Sequence, residues 1–184
     1  MQAQQVVAIA RQFGRDYWDG ERKYGYGGYR YDGRWRSVAR DLIAHFGLKP
    51  GMRVLDVGCG KGFLLYDLTQ AVPGIEVAGI DISDYAIANA KPEIATHLRK
   101  ADAKALPFAD KSFDFVYSIN TLHNLYLNDL WAAIAEIQRV GKGPRSRGAH
   151  ITVEAYRSER EKVNLMYWQL TCRAFMTPAE WEWL

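Results

Sequence analysis

Residues 54–62 read Val54-Leu55-Asp56-Val57-Gly58-Cys59-Gly60-Lys61-Gly62, a hydrophobic run ending in three glycines at alternate positions. Such a run forms a strand, and the glycines permit a sharp turn and let a ligand approach the backbone with no Cβ in the way. A strand, a glycine turn and a helix in succession build nucleotide-type cofactor sites. Two phosphate-binding versions do not fit. A Walker loop ends in Gly-Lys-Ser/Thr, whereas Gly62 follows Lys61, and the third glycine of G-x-G-x-x-G would fall on Phe63. Asp56 beside the turn suits a cationic ligand better than pyrophosphate, since a buried carboxylate near phosphate would cost roughly several kcal/mol.

The rest of the chain supplies the frame for such a unit. Trp35, Val38, Ala39, Leu42, Ile43 and Phe46 recur at helical spacing, and Gly47 stands where a helix C-cap belongs. Strands are predicted over 53–57, 76–80, 97–101, 113–118 and 150–155, with helices near 62–71, 84–90 and 127–139. This alternation predicts an α/β fold with a doubly wound, mainly parallel sheet and right-handed crossovers. Ligands of such sheets bind beyond the carboxyl ends of the strands, where the strand order reverses. The 184 residues are 48% hydrophobic and 24% charged, ordinary for one globular domain, and the net charge of +3 gives little support for a nucleic-acid or membrane partner. The first residues lack the pattern of a signal peptide, so the expected location is cytoplasmic. Cys59 and Cys172 offer neither a zinc pattern nor a disulfide framework, and no metal is expected.

Four segments in order carry a resemblance. The Asp56–Gly62 segment is similar to the first motif of the class I S-adenosylmethionine (SAM)-dependent methyltransferases. Val77-Ala78-Gly79-Ile80-Asp81-Ile82-Ser83 resembles their second motif, Arg99 to Phe108 the third, and Ser112 to Asn120 with Leu122-His123-Asn124 the fourth strand and its loop. Small-molecule methyltransferases of the ubiquinone and menaquinone type look closest, over residues 35–155. Gly141-Lys142-Gly143-Pro144 departs from the family's usual turn. The resemblance implies a Rossmann-like fold, SAM as cofactor and a small-molecule acceptor. It implies that Asp56 and the Gly58-Cys59-Gly60 turn meet the methionine end, and that Asp81, followed by Ile82, accepts from the ribose diol. Asp102 with the backbone of Ala103 would read adenine, and the carbonyl of Ser118 or the side chain of Asn120 would line the methyl-transfer channel. Taken one at a time, strand-end aspartates also serve as helix N-caps.

His123, just past the fourth strand, is the candidate general base; the plainer reading is a histidine that hydrogen-bonds loop backbone. The aromatic and glycine-rich segment 1–34 and the aromatic segment 156–184 flank the core within one domain, and the family's lid occupies these positions. Tyr26 and Tyr31 are the candidate lid contacts, against the alternative of plain packing. A nucleic-acid methyltransferase should show a basic stripe or an Asn/Asp-Pro-Pro-Tyr/Phe motif, where this chain has Asn120-Thr121-Leu122-His123. A non-catalytic SAM-binding or partner-activating subunit stays open. Thr177-Pro178-Ala179-Glu180 predicts a helix start with a capping box. The family's last two strands have no residues left here, which predicts a five-stranded sheet whose open edge is covered by residues 156–184 or by a second copy of the chain.

Overall fold

The structure is a computed structural model that describes residues 2–143 and 148–184, so Pro144 of the departing turn lies outside the described residues. Its centre is one parallel sheet of β1 (Arg53–Val57), β2 (Glu76–Asp81), β3 (Leu98–Lys100), β4 (Phe115–Ile119) and β5 (Ala149–Thr152). Their spatial order is β3-β2-β1-β4-β5. The chain leaves β1 to one side, builds β2 and β3, and returns to the other side for β4 and β5. Strand order therefore reverses at β1 and β4, and the crevice beyond their carboxyl ends belongs to the loops after Val57 and Ile119.

The helices are α1 (Gln2–Ala10), α2 (Arg15–Asp19), α3 (Arg36–Phe46), α4 (Phe63–Ala71), α5 (Asp84–Ala88), α6 (Leu127–Val140), α7 (Glu159–Trp168) and α8 (Pro178–Trp183). Alternation along the strands explains the two cores. Val54, Phe115 and Tyr117 face Leu65 and Leu68 of α4 and Ala39 and Leu42 of α3, whereas Leu55, Val57 and Val116 face Leu130, Ala133 and Ile137 of α6. As the spacing predicts, Gly47 ends α3 in the left-handed conformation, φ 64°, with its N–H on the Ile43 carbonyl.

Boundaries differ from the sequence expectation where a residue finds another partner. Phe113 makes an isolated bridge with Gly141, so β4 starts two residues later than predicted. His97 is taken by a 3-10 turn, Ala95–His97, leaving β3 with three residues. β5 stops at Thr152 because the chain then turns toward the C-terminal segment: Ala155 bridges Met176, and the Trp181 indole donates to the Glu154 carbonyl at 3.0 Å. The capping box of Thr177 and Glu180 is formed. Met176, Trp181 and Leu184 pack on the cluster that holds Ile151 and Val153. The C-terminal segment thus closes over the end of β5, while the outer edge of β5 pairs with no strand among the described residues.

Candidate cofactor site

Beyond the carboxyl ends of β1, β2 and β4 lies a cavity of about 330 Å³. Its floor is the glycine turn. Gly58 and Cys59 donate their N–H groups to the Ile80 carbonyl at 2.8 and 2.9 Å, which fastens the turn to β2. Gly60 takes φ 55° and donates to Asp81 Oδ2 at 2.8 Å. A Cβ on Gly60 would stand 2.9 Å from the Trp18 ring, so glycine is required there by both backbone and neighbour.

Two acids face this floor. Asp56 is only 5% exposed and accepts no hydrogen bond of ordinary geometry from a described residue. The Tyr117 hydroxyl lies beside its carboxyl and finds no other partner among the described residues. Burial pushes the Asp56 carboxyl up to about 8, with the Asp81 charge adding to the rise and the Tyr117 hydroxyl opposing it. Asp81 is better satisfied, by the amides of Gly60 and of Ser83, the latter at 2.8 Å on Oδ1. Burial still raises its pKa, and those amides offset part of the rise. A buried carboxyl beside such a hydroxyl is costly, and a positively charged ligand would relieve that cost.

Ile82, Asp102, Ala103 and Asn120 contribute to the remaining wall. Asp102 Oδ1 accepts from the Lys104 amide at 3.0 Å, which orders the loop after β3. Asn120 sits at φ 54°, a left-handed conformation that costs a non-glycine residue about 1 kcal/mol and is held by its N–H on the Thr152 carbonyl at 2.9 Å.

Over this floor the N-terminal arm forms a roof. Trp18, 6% exposed, donates its indole N–H to Ser83 Oγ at 2.9 Å and to the Phe13 carbonyl at 3.0 Å. Tyr26 stacks on Trp18 with centroids 5.2 Å apart and planes at 9°, and Tyr29 bridges from Tyr26 (4.6 Å) to Phe63 of α4 (4.9 Å). The sequence put weight on the tyrosines and missed Trp18 as a site residue. Its signal was the small residue opposite it, Gly60, and no local pattern announces a contact across 42 positions.

Asp56, Gly58, Cys59, Gly60, Asp81, Ile82, Asp102, Ala103, Asn120 and Tyr26 all line this cavity. Three other candidates do not. Ser118 is fully buried and spends its hydroxyl on the Val57 carbonyl at 2.8 Å, tying β4 to β1. Tyr31 turns outward: its hydroxyl donates to Asp67 Oδ1 at 2.5 Å and its ring meets Phe63 and Tyr66, at a separate surface hollow. His123 lines a second cavity of about 520 Å³ beside the first. Its Nδ1 accepts from the Glu154 amide at 3.3 Å and burial pushes its pKa down to about 4, so the ring is neutral with its proton on Nε2. Nδ1, the lone pair of that tautomer, is thereby spent on backbone, and His123 serves as wall and anchor; its own carbonyl holds the amides of Arg173 and Ala174.

Residues 55–143 match the family model described as a methyltransferase domain. The chain carries a methyltransferase domain. The cofactor of this family is S-adenosyl-L-methionine, and the donor set fits it: an unpartnered buried acid for positive charge, a second acid at the end of β2, and a glycine floor free of Cβ atoms. The chain's residues are 35% identical over 117 positions to a sterol 24-C-methyltransferase of Gibberella zeae, covering 58% of this chain and 30% of that protein. They are 29% identical over 160 positions to a demethylmenaquinone methyltransferase of Symbiobacterium thermophilum, covering 81% of this chain and 60% of that protein. Among solved structures, a SAM-dependent methyltransferase from Aquifex aeolicus superposes with a TM-score of 0.50 at 28% identity, over 60% of this chain and 62% of that one. The chain thus spans between about a third and three fifths of the curated relatives it matches. Among the described residues no helix is long and apolar enough to cross a membrane.

Proposed function

We propose that this methyltransferase domain transfers the methyl group of SAM to a small, flat acceptor held in the second cavity. The observation that carries the reading is the junction of the two cavities: Tyr17, Tyr26, Asn120 and Asn124 line both, so a ligand on the acid-lined floor and a ligand in the second chamber share a wall. When bound, the cofactor supplies an electrophilic methyl on a sulfonium. Asp56, neutral before binding, would give up its proton as the positive charge of the cofactor's methionine end arrives and would then retain that charge; Asp81 would accept from the ribose diol, and the glycine floor admits the methionine end. Asp102 and Ala103 border the far end, the position for the adenine. The roof of Trp18, Tyr26 and Tyr29 keeps water off the floor, which matters because alignment in a dry pocket is most of what such a displacement asks of a protein.

The second chamber selects the acceptor. Tyr17, Tyr26, Tyr167 and Trp168 give it aromatic walls suited to a planar apolar body, in keeping with the ring-bearing acceptors in the names of the relatives. Asn124 Oδ1 is buried with no partner at the junction, a free acceptor for a substrate hydroxyl or amine. With its free lone pair on backbone, His123 orients this wall, and catalysis rests on proximity. Incubating the protein with methyl-labelled SAM and an extracted pool of small metabolites tests the reading by mass spectrometry. The reading expects a labelled small-molecule product; SAM that binds and transfers no label to any of them would point to a binding subunit.

A further inference from the structure

Lys61 lies inside the glycine turn, yet it does not line the cofactor cavity and is only 5% exposed. A buried ammonium is costly unless all its donors are met. Here they are: Nζ donates to Asp19 Oδ1 at 2.9 Å, to Asp19 Oδ2 at 2.7 Å and to the Tyr29 carbonyl at 2.9 Å. Both partners belong to the N-terminal arm. Asp19 also accepts from the Tyr29 amide at 3.0 Å and from the Tyr85 hydroxyl of α5 at 2.8 Å. One carboxylate therefore joins four segments: the end of α2, the turn at Tyr29, the glycine turn and the helix that follows β2.

The residue before Asp19 is Trp18, which covers Gly60, and the residue before Lys61 is Gly60 itself. Roof and floor of the cofactor cavity are thus pinned together one position away from where they face each other. We propose that Lys61 and Asp19 are positioning residues for methyl transfer, a latch that holds the aromatic arm closed over the cofactor. The proposal rests on the reading of the cavity as the cofactor site. Burial opposes ionisation of Asp19, but the hydrogen bonds from Lys61, Tyr85 and the Tyr29 amide outweigh it and hold the carboxyl below the usual range, so Asp19 keeps its negative charge. Opening the arm breaks the hydrogen bonds on Lys61 Nζ and on the Asp19 carboxylate together, and their combined loss favours the closed arm before any ligand arrives.

The test uses Lys61→Met, Lys61→Arg and Asp19→Asn in the full chain. Trypsin cleavage after Arg22 and Lys23 reports arm opening in the ligand-free protein, and calorimetry with S-adenosylhomocysteine reports the site. The latch predicts that Lys61→Met and Asp19→Asn each speed arm cleavage by about tenfold or more and weaken S-adenosylhomocysteine by a similar factor, since partly buried charged hydrogen bonds are worth roughly 1.5–3 kcal/mol. It predicts that the double variant is no worse than the worse single one, and that Lys61→Arg recovers most of the protection because it restores the charge. The KM for SAM should rise more than kcat falls. Cleavage and affinity equal to wild type in a folded Asp19→Asn protein would overturn the latch. If Lys61→Met does not fold, Asp19→Asn, which keeps the amide geometry, decides alone. Absence of S-adenosylhomocysteine binding by the wild type would instead strike at the cofactor site, while the ligand-free cleavage rates would still judge the latch.

Discussion

Replacing Asp56 by Asn separates what this residue does for the cofactor from what it costs the fold. The carboxyl is fully buried at the end of β1, and its pKa is pushed from 3.8 to about 8, first by desolvation. A group whose folded pKa is raised keeps an extra proton in the folded state, so between about pH 4 and pH 8 the native protein binds more protons than the unfolded chain. Stability then falls as pH rises through that window and levels off above it. Each pH unit costs roughly 1 kcal/mol, which for a chain of this size is about 2–4 °C in melting temperature. Asparagine is nearly isosteric and carries no charge. The melting temperature of Asp56→Asn should therefore gain on wild type by a few degrees per pH unit from pH 5 to pH 7, with the gain flattening above pH 8. In the complex the ligand's ammonium favours the ionised carboxyl, so the same variant should bind S-adenosylhomocysteine more weakly by roughly 1.5–3 kcal/mol, the scale for a lost charged hydrogen bond. Thermal melts at five pH values and calorimetry at pH 7.5 check both halves. A difference in melting temperature that does not change with pH would refute the claim that Asp56 is held protonated by burial. Unchanged affinity would refute its role in the site.

His123 has the opposite sign: its pKa is lowered by burial to about 4, so its contribution is present above the unfolded value near 6.5 and is lost as pH falls toward 4. His123→Gln should flatten the acid limb of the stability curve, and the wild-type rate should show no ionisation from this residue between pH 6 and 7.5; a rate inflection there that vanishes in the variant would restore it as a base. Asn120→Gly should fold as well as wild type or better, whereas Asn120→Ala should lose about 1 kcal/mol because φ 54° disfavours a Cβ without the asparagine side chain, as chemical denaturation would show. Trp18→Ala should leave the sheet intact by far-UV circular dichroism and raise the KM for SAM by about tenfold, since the roof loses its stack and the Ser83 contact while Asp56 and Asp81 stay in place; an unchanged KM would make the arm a packed terminal segment only.

The sheet and the floor of the site were legible because their signals are local. A β-branched run, glycines at alternate positions and an acid at the strand end fall within nine residues, and the resemblance then carried Asp81 and Asp102 in register. What was not legible depends on where side chains point after folding. Ser118 and Asn120 lie two residues apart at the end of one strand, yet Ser118 is turned onto the Val57 carbonyl while a left-handed step at Asn120 swings its neighbourhood into the cavity. Tyr26 and Tyr31 share the same aromatic and glycine-rich composition, and only the partner decides between them: Trp18 for Tyr26, Asp67 for Tyr31. Lys61 read as a failed phosphate-loop lysine, and its meaning came from Asp19, 42 positions away. His123 was placed correctly in the chain, but its burial and its bond to the Glu154 amide follow from the path of the chain after β5.

Calorimetric titration of the full chain with S-adenosylhomocysteine, beside its Asp81→Ala variant, tests most directly the claim that this cavity is a SAM site. The account predicts one site per chain, with binding weakened in Asp81→Ala by roughly 1.5–3 kcal/mol. No heat from the folded wild-type protein, or binding of NAD in place of S-adenosylhomocysteine, would contradict it.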